Sequence, residues 1–198
     1  MSWTWTSRPA LASKVAAARP ESPAPITVTG DSPSMTGHRR GGFEGCALRA
    51  SPMSPDAPPP EVIVDTPATR LEPDLLLQRL PVDGVGAVVS FVGLTRGKEG
   101  EANVLRLEFD AWQEELPKVL HALAIQAAQT YGLRAVAIAH RIGSVEPEEP
   151  IVAIHVGSAH RGPAFDACRW LIDELKQQAP LWKKEVTDHG ATWKAGLG

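Results

Sequence analysis

From residue 84 onward, short apolar runs alternate with longer segments of helical periodicity. The run GVGAVVSFVGL at 84–94 is rich in valine and bounded by glycines, which predicts a buried strand. Residues 103–111 (NVLRLEFDA) alternate apolar with polar positions and predict a strand that neighbours the first. Further strands are predicted at 134–145 and 150–159, joined by the acidic turn EPEE, and 183–195 predicts a short strand or hairpin.

Helical periodicity occurs in three places. Residues 72–80 predict a short helix, and residues 113–131 predict a longer one with its leucines on one face. A third helix is predicted from Pro163 to about Gln178. Its predicted apolar stripe consists of Phe165, Cys168, Leu171, Ile172 and Leu175. Since the turn between the last long strands is too short for a parallel crossover, an α+β fold with a largely antiparallel sheet follows.

The first part of the chain has a different composition. Residues 1–60 hold ten of the 18 prolines and show no sustained periodicity, so we expect a disordered leader over 1–58 and a folded domain over 59–198. Translation starting at Met53 is a further hypothesis for this region. No apolar stretch is long enough to suggest a secretory signal or a transmembrane helix.

Bulk charge and cysteine usage narrow the functional classes. A net charge of −3 gives no general affinity for nucleic acid or anionic membranes, so any anion site must be a local cluster. Cys46 and Cys168 have no paired spacing, which favours a reducing compartment, the cytoplasm. The six histidines form no H-E-x-x-H motif, and no metal site is predicted.

The segment SAHRGPAF, residues 158–165, predicts an anion-binding helix start. Pro163 suits the first helical position, Gly162 then falls at the cap, and His160 and Arg161 precede it. Free backbone N–H groups with a guanidinium and an imidazole suit phosphate or carboxylate. The plainer alternative, an exposed Arg161 and a His160 bonded to a nearby carbonyl, stays open.

The same helix also predicts an unusual lysine. Lys176 falls at the edge of the apolar stripe, where partial desolvation would lower its pKa; the alternative is a buried stem with its amine in water. Pro180 ends the helix, so Lys183 and Lys184 are expected to return beside Lys176. With a basic residue from the loop TRGKEGEA (95–102), the candidate cluster, expected in one cavity, is Arg96, His160, Arg161, Lys176 and Lys183.

Four blocks, GAVVSFVGLTR, AHRIGSVEP, SAHRGPAFDAC and LKQQAPLWKKE, resemble the large, catalytic subunit of molybdopterin synthase over about residues 60–195. The resemblance implies a sulfurtransferase that converts cyclic pyranopterin monophosphate into molybdopterin. It implies an α/β-hammerhead-like fold, which is consistent with the mainly antiparallel sheet and two principal helices predicted above. No cofactor is predicted. It also implies a small ubiquitin-like partner with a C-terminal Gly-Gly thiocarboxylate, around a homodimer core of a heterotetramer.

The resemblance also assigns roles to residues. It implies that Lys176 and Lys183 are catalytic. The substrate-binding residues that it implies are Leu94, Thr95, Arg96, His160, Arg161, Lys184 and Glu185. Some relatives place a C-terminal arginine in the neighbouring subunit's site, where this chain has Leu197; either Lys194 substitutes or that contribution is missing. The rival hypotheses are a non-enzymatic anion-binding module and a purely structural dimerisation subunit.

Overall fold

A computed structural model describes residues 59–194 and residue 197. The predicted disorder of 1–58 and the hypothesis of a start at Met53 lie outside the described residues. The strands are β1 (Glu61–Asp65), β2 (Ala87–Leu94), β3 (Lys98–Glu99), β4 (Ala102–Ala111), β5 (Ala135–His140), β6 (Gly143–Val145), β7 (Pro150–Ser158), β8 (Leu181–Thr187) and β9 (Gly190–Lys194). The helices are α1 (Pro73–Gln78), α2 (Leu116–Tyr131) and α3 (Arg161–Gln178).

The strands form two sheets. The first has the order β1-β5-β7-β2, in which β1 runs parallel to β5 and the other pairs are antiparallel. The second has the order β3-β4-β8-β9, all antiparallel, with β6 paired to β4. The predicted α+β class, mainly antiparallel with two principal helices, is confirmed.

The helices cover opposite faces of the first sheet. The periodic leucines and alanines of α2 pack with α3 on one face and form the main core with β5 and β7. On the other face Leu76 of α1 and the flanking Leu71 and Leu80 are buried against the alanines of β5 and β7. The small side chains of β5 let α1 approach this face of the sheet closely. On the other side of the sheet, α2 ends at Gly132, whose φ of 64° lies in the left-handed region that glycine adopts without strain.

Two strand predictions need correction. The run at 84–94 is not fully buried, because β2 is the edge strand of the first sheet and its exposed face carries Val88, Val92 and Leu94. Nor is β4 its neighbour: β2 pairs with β7, while β4 pairs with β8 in the second sheet. Adjacency in sequence did not give adjacency in the sheet, since the chain passes from the first sheet to the second between Leu94 and Lys98, before the β3–β4 hairpin begins.

The predicted strand at 134–145 is in fact two strands. β5 belongs to the first sheet, and β6 pairs with β4 in the second. Gly143, at φ 79°, supplies the positive φ needed between them. The predicted loop at 95–102 likewise contains β3, which turns into β4 at Gly100, at φ 60°. The break at Gly143 lies where the chain passes from the first sheet to the second, whereas the turn at Gly100 lies within the second sheet.

His140 lies between the two sheets. It ends β5, is 2% exposed, and packs edge-on against Phe109 of β4 with ring centroids 5.1 Å apart. Its Nδ1 lies 2.8 Å from the carbonyl oxygen of Arg141 and donates to it when that nitrogen carries the proton. Burial lowers the pKa of His140 to about 4.

We therefore expect the free energy of unfolding to fall on acidification. The unfolded chain takes up a proton near pH 6.5, whereas the folded state resists it until about pH 4, so stability present above pH 6.5 is lost over this window. Such a difference corresponds to about 3 kcal/mol at most. Urea unfolding between pH 7 and pH 4 measures it, and His140→Asn, which cannot titrate, should flatten the slope.

His155 contributes in the same direction, because burial lowers its pKa too, so the slope should shrink in His140→Asn without vanishing. The matched control is His189→Asn, the same substitution at a largely exposed histidine, which tests whether the exchange to asparagine by itself alters the slope. An unaltered slope in His140→Asn would contradict the assignment.

Candidate anion-binding site

The predicted anion-binding helix start begins two residues earlier than expected. His160 is the N-cap residue, with extended φ −133° and ψ 148°, and α3 begins at Arg161. Gly162 therefore lies inside the first turn rather than at the cap, and Pro163 follows it, where its missing N–H is still tolerated. No side-chain hydrogen bond caps this end of α3, and both His160 and Arg161 are exposed.

A close backbone approach holds the chain just before this helix start. The amide of Gly86 donates to the carbonyl oxygen of Ser158 at 3.0 Å. A Cβ at Gly86 would lie 2.5 Å from the carbonyl oxygen of Ala159, which is closer than side-chain atoms come to backbone. Only glycine therefore lets the segment before β2 lie against the residues that lead into His160.

The length of α3 separates the predicted cluster. Arg161 and Lys176 lie at its two ends, fifteen residues apart. At 1.5 Å per residue this is about 22 Å along the helix axis. The prediction that one chain gathers both groups into a single cavity is therefore wrong. The bounds predicted for α3, Pro163 to about Gln178, already implied a separation of about this size between its two ends.

The apolar stripe of α3 is narrower than predicted. Ala164, Ala167, Cys168, Leu171 and Leu175 are buried, but Phe165 is 62% exposed. Burial raises the pKa of the Cys168 thiol to about 11, as expected for a small buried hydrophobe.

Lys176, in the last turn, shares the exposed side of α3 with Phe165. The prediction that Lys176 is half desolvated is thus wrong, because the buried stripe runs through Leu171 and Leu175 on a different side of the helix.

Lys183, rather than Lys176, is the lysine that is partly removed from solvent. Successive side chains of β8 alternate between its faces, and Lys183 pairs with Phe109 of β4 while Glu185 pairs with Leu107. Because Phe109 and Leu107 are buried, Lys183 stands on the apolar side of the second sheet and is half-buried. Its Nζ lies 3.4 Å from the carbonyl oxygen of Leu197. Burial lowers the pKa of Lys183, and the carboxylate of Glu185 partly opposes this.

Lys184 lies on the opposite face of β8. Its Nζ donates to Glu108 at 3.0 Å and lies 5.9 Å from the ring centroid of Trp193. Hydrogen bonds from Lys184 and Arg106 lower the pKa of Glu108. Lys183 and Lys184 therefore do not share one pocket within a chain, and substrate contact by Lys184 stays a prediction.

Two further charged residues complete the surroundings of Lys183. Glu185, 9% exposed, forms an ion pair with Lys194 of β9 at 3.2 Å. Lys194 lies directly opposite Lys183 across the β8–β9 pair, and the positive charges of Lys194 and Arg96 both lower the pKa of Lys183. The hairpin spacing TDHG between β8 and β9 was the signal that could have predicted Lys194 here.

The residues after β2 lie at the same end of the molecule as Lys183. Arg96 is exposed and pairs with Glu99 at 3.0 Å, Leu94 is 55% exposed, and Thr95 is buried. α3 follows directly after β7 and packs back along β7 and β2, so its last turn, with Lys176, returns toward this end. We call Arg96, Lys176, Lys183 and Lys194 the lysine group: Lys194 and Arg96 act on the charge of Lys183, and Lys176 is included because α3 runs back toward this end. We call His160 and Arg161, at the other end of α3, the helix-start group.

These features define a class: a mixed α/β protein with basic side chains in two separate places, a candidate for binding anions. Among the described residues no cluster of histidine, cysteine or carboxylate side chains could hold a metal ion. The family model of the MoaE protein matches residues 68–178. The chain belongs to this family, as the four sequence blocks predicted.

Named relatives and solved structures agree. The catalytic subunit of molybdopterin synthase from Pseudomonas aeruginosa is 43% identical over 113 residues, covering 57% of this chain and 75% of that protein. Its counterpart from Arabidopsis thaliana is 40% identical over 109 residues, 55% of each chain. The molybdopterin synthase structure from Staphylococcus aureus superposes with a TM-score of 0.61 at 26% identity, covering 70% of this chain and 98% of that one.

Proposed function

We propose that this chain is the catalytic subunit of a molybdopterin synthase. It transfers sulfur from the C-terminal thiocarboxylate of a small partner to cyclic pyranopterin monophosphate and forms the dithiolene of molybdopterin. The catalytic subunits named above support the predicted sulfurtransferase. The single observation that carries the proposal from the structure is the half-buried ammonium of Lys183, which lies opposite Lys194 on β9 and whose pKa the charge of Arg96 also lowers.

Charge explains why such a group suits this reaction. The substrate phosphate and the thiocarboxylate are both anions, and two unit charges about 4 Å apart repel by about 4 kcal/mol at an effective dielectric of about 20. Ammonium and guanidinium groups offset that repulsion and stabilise oxyanions as they form. Lys183, with its lowered pKa, is also the better proton donor near neutral pH. Lys176 supplies a second ammonium in the same role.

A complete site requires two copies of the chain. His160 and Arg161 lie about 22 Å along α3 from Lys176, too far for one substrate to contact all three in one chain. A two-fold pair of chains removes this obstacle, because the helix-start group of one copy can face the lysine group of the other. The exposed Phe165, one turn into α3, gives such an interface an apolar contact.

The proposed partner is a small ubiquitin-like subunit whose C-terminal Gly-Gly carries the thiocarboxylate, in a heterotetramer around this homodimer. The lysine group supports it, since a flexible anionic tail needs cations at its end. We also propose a cytoplasmic location, supported by the free, buried thiol of Cys168. In the part of the chain that the structure describes, no helix is long and apolar enough to cross a membrane.

A reconstituted reaction tests the function. The purified chain is mixed with a thiocarboxylated small partner and cyclic pyranopterin monophosphate, and mass spectrometry follows the gain of two sulfurs by the pterin. We expect product only when all three components are present. Binding of the partner without any sulfur transfer would instead favour a module that docks an acidic tail.

A further inference from the structure

The acidic turn between β6 and β7 fixes the backbone of Thr95. The amide of Thr95 donates to the carbonyl oxygen of Glu149 at 3.0 Å, and the amide of Glu148 donates to the carbonyl oxygen of Thr95 at 2.8 Å. Thr95 is 3% exposed, and its hydroxyl has no hydrogen-bond partner among the described residues. The turn therefore holds this residue through its main chain alone.

Arg141 in turn fixes the acidic turn. Its Nη1 donates to Glu149 Oε2 at 2.6 Å, and its Nη2 donates to the carbonyl oxygen of Ser144 at 2.7 Å. The same Glu149 oxygen accepts the amide of Glu146 at 3.1 Å. These contacts lower the pKa of Glu149, the Glu146 amide first and the Arg141 guanidinium next. Because Arg141 is 8% exposed, removing Glu149 would leave the guanidinium charge with little solvent around it.

Glu148 shows that the turn is held under strain. Its φ is 68°, a region that residues other than glycine rarely adopt. The hydrogen bonds of Glu148 to Thr95 and of Glu149 to Arg141 lie on either side of this angle and hold it. Loss of the Arg141 contact would let the turn relax to an ordinary backbone conformation.

The hydrogen bonds of this turn also restrict the backbone at Arg96. Thr95 before it is held by the turn, and the carbonyl oxygen of Gly97 after it accepts the amide of Val104 at 3.0 Å. The backbone of Arg96 is thus fixed on both sides, while its side chain is 80% exposed and bonded only to the exposed carboxylate of Glu99 in the described structure. A fixed backbone with an accessible guanidinium is the arrangement that an anion-binding arginine needs.

We propose that Arg141 is a positioning residue for the reaction: through Glu149 and Thr95 it sets where the guanidinium of Arg96 meets the anionic substrate. This inference rests on the proposed function. Arg141 touches no reacting atom, and its buried guanidinium acts through the turn, whose two backbone hydrogen bonds to Thr95 fix the residue before Arg96.

Steady-state kinetics of the reconstituted complex test the coupling between the two arginines. We expect Arg141→Met to raise the KM for the pterin substrate about tenfold with kcat changed less, because a binding group is misplaced. Arg96→Ala should give a similar increase. In the Arg96→Ala background, Arg141→Met should then add no more than about twofold, since both changes remove one contact.

Two other variants guard against misfolding. Glu149→Gln keeps the shape of the turn and weakens only the ion pair, so it should raise KM by a smaller factor in the same direction. Arg79→Met is the matched control, because Arg79 also pairs with a carboxylate, that of Asp65, on β1 at the opposite edge of the first sheet. Its KM should equal that of the unaltered chain.

A readout that needs no turnover separates this proposal from the proposed function. Hydrogen exchange at the Thr95 and Val104 amides should quicken in Arg141→Met while the amides of α2 keep their protection. Unchanged exchange, or full additivity of the two arginine substitutions, overturns the positioning role. An unaltered chain that transfers no sulfur overturns the proposed function instead.

Discussion

Replacing Lys183 by methionine is expected to lower the turnover of the reconstituted enzyme by about 10²–10³-fold, as removal of one preorganised donor does elsewhere. Its ammonium is half-buried on the apolar side of β8, where Phe109 and Leu107 exclude water. A cation in such a position is worth more to a developing negative charge than one in water. Methionine retains the length and the packing of the stem, so the loss measures the charge.

Two control variants separate the effect of the charge of Lys183 from the effect of its position in the structure. Lys183→Arg keeps a positive charge that does not titrate, and we expect it to recover part of the turnover. Lys118→Met removes an exposed ammonium on α2 and should have no effect. Because the pKa of Lys183 is lowered, activity should decline with rising pH earlier than for an ordinary lysine, and Lys183→Arg should delay that decline. Full turnover in Lys183→Met would exclude it from the chemistry.

Mixing two inactive variants is expected to restore activity. One variant carries His160→Ala with Arg161→Ala, and the other carries Lys176→Ala. If each site takes the helix-start group from one copy and the lysine group from the other, a mixed pair has one intact site. Random assortment makes half of the pairs mixed, so about one quarter of the normal activity should return.

The result depends on exchange of subunits, so both chains are co-expressed with different affinity tags and the doubly tagged pairs are purified. Those pairs should show about half of the normal activity per chain, since one of two sites is intact. A doubly tagged pair without any activity would place all the basic residues in one chain's site. The control pair joins two chains that both carry Lys176→Ala and should stay inactive.

Most secondary structure followed from local pattern. The long helix α2 was predicted from its leucine spacing, and β7 from its apolar run, because both bury a continuous face. The pattern predicted the burial of β2 wrongly. Its valines are as apolar as those of a central strand, yet Val88 and Val92 are exposed at the edge of the sheet. An edge position is a property of strand order, which no local periodicity reports.

The sequence named the basic residues of the candidate site, but the way in which it predicted them to be arranged was largely wrong. Lys176 was singled out for desolvation because of its position near the stripe, but the buried face of α3 carries Leu175 while Lys176 lies on the exposed side. Lys183 carries the desolvated amine, since β8 turns it toward Phe109. The alternation of a strand already implied that Lys183 and Lys184 face opposite sides, once KKE was assigned to a strand.

The sequence by itself determined the helices, most strands, the family and the set of cations. Repeating apolar spacing and short motifs are local properties, and each fixes its own segment. Only the tertiary structure decided which cations meet. The pairing of β4 with β8 puts Lys183 in an apolar environment, and the length of α3 keeps Arg161 away from Lys176. The Arg141–Glu149 ion pair lies in the turn whose backbone is hydrogen-bonded to Thr95, the residue after β2. Each of these depends on contacts between segments distant in the chain, whose energies no local pattern contains.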